Sequence, residues 1–322
     1  MKRPLHVKIL QSLKLSFMNT DHLRALAAAV DEGTFEAAAD LLQISGSAFS
    51  QRIKALEKDM GQVLLTRTVP VATTPAGDQV LRLARQVAVL EDEARRSLGR
   101  GSGGRTVLRV AVNVDSLATW FVEVLRQAAT WDDVALQLQT EDQEHTHELL
   151  RSGAVVAAVT ERPTPVSGCV SMELGEMGYH AVAASALLDR YRTGGSGDTV
   201  GNGQAPVDFG AMPVVDFGTR DNLQRSRLAR LGRERGLTLD PPRHVVPDAE
   251  TYLQAVELGM GWGMFPDGQL PPGVLEGTHP ELETVPELGA ARVQLHWQRW
   301  SAGTQALDRL TAAVQLAARH MV

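Results

Sequence analysis

The stretch Phe35-Glu36-Ala37-Ala38-Ala39-Asp40-Leu41-Leu42-Gln43-Ile44-Ser45-Gly46-Ser47-Ala48-Phe49-Ser50-Gln51-Arg52-Ile53-Lys54-Ala55-Leu56-Glu57-Lys58-Asp59-Met60-Gly61-Gln62-Val63-Leu64-Leu65-Thr66-Arg67 reads as helix, turn, helix and the start of a wing. Thr34 is placed to cap the first helix, whose small face (Ala37, Ala38, Leu41) lets a second helix approach closely. The turn falls at residues 43–46. Ser45 or Ser47 then caps a second helix in which Phe49, Ile53, Leu56 and Met60 recur at three- and four-residue spacing and face inward.

That inward set leaves Ser47, Ala48, Ser50, Gln51, Arg52 and Lys54 pointing out. Gln and Arg make bidentate contacts to base edges in a major groove, while Ser and Lys suit phosphates. An ordinary helical hairpin would mix Glu and Lys along such a face; here no acid appears before Glu57. The expected DNA contacts are therefore Ser45, Ser47, Ala48, Ser50, Gln51, Arg52 and Lys54. Arg67 in the wing reaches either a phosphate or minor groove, or an ion pair at the wing base; both readings stay open.

Ser50, Ile53, Leu56, Glu57, Gly61, Leu64 and Arg67, closed by Thr73-Thr74-Pro75-Ala76-Gly77, resemble the amino-terminal domain of the LysR-type transcriptional regulators. The resemblance begins at Met18. Residues 1–17 stand before it as an amino-terminal extension, expected to be disordered.

The chain has 322 residues, 43% of them hydrophobic, and a formal net charge of −6. This is a soluble globular composition with room for several cores, and no apolar run approaches membrane-spanning length. One cysteine, Cys169, cannot form an internal disulfide, which with the absence of a signal-like segment fits a cytoplasmic protein. The charge is divided unevenly: residues 1–100 hold 14 Lys and Arg against 11 Asp and Glu, a balance of +3, which leaves −9 for the rest. An anionic duplex at one end and a cationic small ligand at the other would each favour this split.

A first helix is expected from Asn19 to Val30, stopped by Gly33. Thr74 and Pro75 start a long one. In it Val80, Leu83, Val87, Leu90 and Ala94 form a narrow heptad seam, which implies a two-fold homodimer reading a roughly palindromic operator. Residues 99–104, Gly-Arg-Gly-Ser-Gly-Gly, mark the clearest boundary in the chain.

Beyond it strands alternate with helices: strands at 107–112, 134–140 and 155–160, helices at 117–129 and 144–152, then a second such run over 168–265. A strand at 292–298 and a helix at 304–318 return to the first half. The expected fold is α/β, with an N-terminal winged helix-turn-helix (18–74), a linker helix (75–98), a flexible linker (99–106) and a two-lobed effector-binding domain of periplasmic-binding-protein type (107–322). Lobe I comprises 107–162 and 274–322 and lobe II 163–273, with crossings near 160–165 and 267–273 and a ligand cleft between them.

Residues 113–120, 150–153, 168–169, 174–179 and 295–300 resemble the LysR-type subgroup that senses lysine and arginine and controls a basic amino-acid exporter. The resemblance implies a small-molecule effector, lysine or arginine, with RNA polymerase as a further partner and effector-domain contacts that extend the dimer to a tetramer. An amino-acid carboxylate would be met at Asn113 and Ser116, where a strand ends and a helix starts, with Asp115 between them also expected to touch the effector; Ser116 is equally placed to cap that helix. A basic side chain requires carboxylates, for which Glu161, Asp216, Asp221 and Asp248 stand at strand ends or helix starts, with Thr160 beside them. Each is also an ordinary capping or surface acid.

Other motifs carry less. Gly259-Met260-Gly261-Trp262-Gly263 follows a helix and enters a strand, the reverse of a dinucleotide fingerprint. His145 and His147 point to different sides of a helix, so no metal is expected, and no sequence feature calls for a cofactor or a nucleophile. A different-class alternative is a two-lobed solute-binding or enzymatic protein with an incidental helical front end.

Overall fold

Asn19 has an extended backbone and accepts a hydrogen bond from the Asp21 amide at 2.9 Å, which starts helix α1 (Thr20–Glu32); Gly33, at φ 72°, ends it. The computed structural model describes residues 19–66, 68–98, 105–140, 143–193, 205–218 and 221–321. Thr34 caps α2 (Phe35–Leu41) through the Ala37 amide, Gln43 turns the chain at φ 55°, and Ser45 caps α3 (Gly46–Met60) through the Ala48 amide. Phe49, Ile53 and Leu56 of α3 pack with Leu23, Leu26, Ala38 and Ala39 in one buried cluster. Leu41 does not join them. It is 59% exposed, and α2 instead buries Ala38 and Ala39, because its short span presents that pair of neighbours to the core.

Strands β1 (Leu65–Thr66) and β2 (Ala72–Thr73) pair antiparallel as the wing. Glu57 ties the wing to α3 by accepting the Leu64 amide at 2.9 Å. Helix α4 (Pro75–Ser97) starts where Thr74 Oγ1 accepts the Gly77 amide at 3.0 Å. A Cβ on Gly77 would lie 2.0 Å from the Leu64 carbonyl oxygen. Gly77→Ala therefore forces α4 away from the wing and destabilises the amino-terminal domain by about 1–3 kcal/mol. Hydrogen exchange of the full chain should show faster exchange in α3 with the effector domain unchanged.

The apolar surface of α4 is divided rather than gathered into one free seam. Leu81 and Ala84 are buried on the amino-terminal domain, and Val80 and Val87 pack partly against the same cluster. Leu83 is half-buried, whereas Leu90, at 42%, and Ala94 are exposed. A second stripe, which the heptad reading did not separate, is used inside the chain.

The effector domain has a seven-stranded sheet in the order β10 (Leu282–Thr284), β6 (Cys169–Ala184), β11 (Ala291–Trp300), β5 (Ala157–Thr160), β3 (Thr106–Ala111) and β4 (Val134–Gln139), with β9 (Gly263–Pro266) also on β6. Strand β3 (Thr106–Ala111) is parallel to β4 (Val134–Gln139) and β5 (Ala157–Thr160); helices α5 (Val114–Ala118), α6 (Phe121–Ala128) and α7 (Gln143–Ser152) connect them. The single helix expected over 117–129 is thus two. Strand β6 (Cys169–Ala184) follows, then α8 (Ser185–Tyr191), β7 (Val214–Asp216), α9 (Leu223–Arg235), β8 (Arg243–Val245), α10 (Ala249–Glu257), β9 (Gly263–Pro266), β10 (Leu282–Thr284), β11 (Ala291–Trp300) and α11 (Gln305–Ala318).

The chain passes between the lobes along β6 and β11, not at 160–165 and 267–273. The start of β6 and the end of β11 lie beside β5 of lobe I, while the far end of β6 carries β9 and β10 of lobe II. The register shifts between Leu295 and His296, opposite Gly175 at φ 130°. Strand β10, assigned to lobe I from sequence, consequently belongs with lobe II. A continuous strand has no turn residues to announce the crossing.

Candidate functional site

On α3, Ser45, Ser47, Gln51 and Lys54 are exposed, and Ala48, Ser50 and Arg52 are half-exposed on the same outward side. The Ser45 hydroxyl lies 3.0 Å from that of Ser47. Arg52 stands 4.0 Å from Asp21, a long ion pair whose partners both remain in contact with water. The buried face of α3 fixes the helix, so these side chains present a single polar surface without an acid among them. Arg67 lies outside the described residues.

The second cluster forms where β3 and β5 end. Asn113 caps α5 by accepting the Ser116 amide at 2.9 Å, so the cap is Asn113 and not Ser116. Ser116 is fully buried and its hydroxyl has no partner among the described residues. With only five residues, α5 has little dipole to offer an anion. The nearby hydroxyl and amides are the available donors.

Asp115 accepts a hydrogen bond from the Tyr179 hydroxyl at 2.7 Å. Burial raises its carboxyl above the ordinary 3.8; the Tyr179 bond works in the opposite direction, and the charges of Asp221 and Glu161 add to the rise. Burial together with the same three carboxylates also pushes Tyr179 upward. Asp115, Glu161 and Asp221 therefore share one field, and among the described residues none has an ion pair within 4.0 Å. Asp221 is held by the Phe217 and Leu223 amides at 3.2 and 3.0 Å. Thr160 is buried and accepts the Arg162 amide at 3.2 Å.

The other two acids are engaged elsewhere. Asp216 is buried and pairs with Arg243 at 2.7 Å, joining β7 to β8. Asp248 caps α10 through Thr251, whose amide and hydroxyl hold its carboxyl below the ordinary value. Tyr179 was absent from the sequence-derived site because its only local signal is an aromatic in a strand. Tyr252 joins the edge of the cluster: burial and the charges of Asp221 and Asp115 push it up, and it bonds Gln224, Met264 and Val215. A surface cavity of about 900 Å³ beside Trp120, Met177 and Asp267 includes none of the three carboxylates. No group of residues fit to hold a metal occurs among the described residues, and no described helix is long and apolar enough to cross a membrane.

Comparison with known proteins agrees with both halves. Residues 20–78 match the model of bacterial regulatory helix-turn-helix proteins of the lysR family, and residues 101–319 match the LysR substrate binding domain. The lysine export transcriptional regulatory protein LysG of Corynebacterium efficiens is 42% identical over 94% of this chain and 98% of its own. Full-length LysG from Corynebacterium glutamicum with bound effector Arg superposes with a TM-score of 0.77 at 38% identity, covering 94% of this chain and 98% of that one. A second structure of full-length LysG from that organism has the same identity and coverage but a TM-score of 0.56. These matches set aside the solute-binding or enzymatic alternative, since both halves fall in one regulatory family over their whole length. The chain belongs to the LysR family of bacterial helix-turn-helix transcriptional regulators.

Proposed function

We propose that this regulator senses lysine or arginine and controls a gene for basic amino-acid export. The observation that carries the reading is the group Asp115, Glu161 and Asp221, three carboxylates in one field with no cationic partner among the described residues. A buried carboxylate that two other carboxylates hold towards its neutral form is stabilised in its ionised form when a cation joins it. A lysine or arginine side chain supplies that cation, and its carboxylate meets the donors around Ser116. The names of the LysG relatives, one for lysine export and one solved with arginine, support the same ligand class.

In this reading the cytoplasmic protein works as a homodimer through the exposed part of α4, Leu90 and Ala94 with Leu83, and as a tetramer through its effector domains. It reads a roughly palindromic operator with α3. Effector binding closes the lobes, and the altered oligomer changes the spacing or bend of the DNA and the recruitment of RNA polymerase. The test is a thermal-shift series against each common amino acid at millimolar concentration. A ligand at 100 times its dissociation constant adds about 2.7 kcal/mol of stability. Lysine or arginine should raise the midpoint and neutral amino acids should not. A rise with some other amino acid alone would overturn the proposed effector.

A further inference from the structure

Tyr179 lies on β6 with a strand on each side: its backbone stands opposite Ala291 of β11 and Pro266 of β9. The residues before and after it are fixed as well. A Cβ on Gly178 would collide with the Asp267 carboxylate, and that carboxylate also reaches His180 Nε2 at 3.0 Å. The Tyr179 side chain is buried in the core of the effector domain, so its hydroxyl is delivered to one point. That point is Asp115 Oδ2 on α5, at 2.7 Å.

Asp115 is held from its own side too. Asn113 caps α5, and the Thr119 hydroxyl donates to the Asp115 carbonyl at 2.6 Å. The groups that bear on the Asp115 carboxylate come from four elements: Tyr179 of β6, Glu161 after β5, Asp221 before α9 and Tyr252 of α10. None of them is a cation. Burial and the two carboxylates favour the neutral acid, whereas a hydroxyl that donates to the carboxylate favours its ionised form. Burial and the Asp115 charge in turn make Tyr179 hold its own proton, so it stays a donor. The other oxygen, Oδ1, has no hydrogen bond among the described residues and is left for a ligand.

The charge of Asp115 decides between two ligands of one shape. Citrulline has the length and planar end of arginine but carries a carbonyl oxygen in place of one guanidinium nitrogen, and no side-chain charge. An ionised carboxylate favours the guanidinium; a neutral acid is itself a donor and suits the carbonyl.

We propose that the Tyr179 hydroxyl is a positioning group that holds Asp115 as a charged acceptor, and so sets the preference of the site for a cationic amino acid over its neutral isostere. The ligand class rests on the proposed function; the geometry around Asp115 does not.

The test is calorimetry of the full-length protein with arginine and with citrulline, across the pH range in which it stays folded. In Tyr179→Phe burial and the two like charges act unopposed, so Asp115 keeps its proton to higher pH. The loss of arginine affinity on acidification should begin about one pH unit higher than in the wild type. Below that point the preference for arginine over citrulline should drop about tenfold, and at higher pH the two proteins should converge. A loss that is equal for both ligands at every pH would overturn the proposal. Added to Asp115→Asn, Tyr179→Phe should leave the preference unchanged, because Tyr179 acts through Asp115; a further drop there would overturn it as well. Should Tyr179→Phe not fold, protein with its three tyrosines replaced by 3-fluorotyrosine decides. Fluorine makes the hydroxyl a stronger donor, so the loss should begin at lower pH, and an unmoved profile would overturn the proposal. Tyr252 does not confuse this result, since it bonds Gln224, Val215 and Met264 rather than Asp115. Wild-type protein that binds neither amino acid would refute the proposed effector itself, whereas arginine bound with an unchanged preference in Tyr179→Phe refutes the role of Tyr179 alone.

Discussion

Gln51→Ala and Arg52→Ala should each weaken binding to the DNA upstream of the protein's own gene by roughly fivefold to 150-fold, the range for one good bidentate base contact at about 1–3 kcal/mol. The double variant should lose most discrimination between that DNA and an unrelated duplex. Its non-specific binding should change much less, because Ser47, Ser50 and Lys54 remain for phosphates. The fold should not suffer: Phe49, Ile53 and Leu56 hold α3 from the opposite side, and among the described residues Arg52 pairs only with Asp21, at 4.0 Å. Fluorescence anisotropy at one fixed salt concentration, with both duplexes, reads the effect. Unchanged affinity in both single variants would show that α3 does not read this DNA.

The second large effect concerns arginine binding. Asp115→Asn keeps the size of the side chain and an acceptor for Tyr179 but removes one of three neighbouring charges. Removing one partner of a desolvated charge pair costs about 2–5 kcal/mol, so arginine affinity should fall about thirtyfold or more by calorimetry. Asp216→Asn, whose carboxylate belongs to Arg243, should leave that affinity much closer to wild type.

The pH dependence separates binding from stability. Burial, and then the charges of Asp221 and Glu161, hold the Asp115 carboxyl above 3.8. The ligand needs the ionised form, so arginine affinity should fall as pH drops through this raised value. The effector-free protein behaves oppositely. Between 3.8 and the raised value the folded state binds a proton that the unfolded chain has released, so this group's contribution to stability grows as pH falls. Both slopes should disappear in Asp115→Asn. Arginine affinity that is flat with pH in the wild type would show that Asp115 does not meet the cation.

The helix-turn-helix was legible in the chain because its determinants are local. Thr34 and Ser45 cap the helices they precede, Gly33 and Gly61 end helices at positive φ, and Phe49, Ile53 and Leu56 face one way by spacing alone. Strand and helix alternation likewise announced the two-lobed domain, and Glu161 and Asp221 stand at a strand end and before a helix start; Asp115 as the third carboxylate beside them came only from the structure. Local spacing says which residues share a face; it does not say what that face meets. Only the tertiary structure showed that α4 spends part of its apolar surface on its own chain, that Asp216 is claimed by Arg243 from a distant strand, and that Tyr179 reaches Asp115. The same holds for the crossings along β6 and β11: pairing between residues more than a hundred positions apart depends on long-range register, and a strand's period of two is identical on either side of the point where it leaves one lobe for the other.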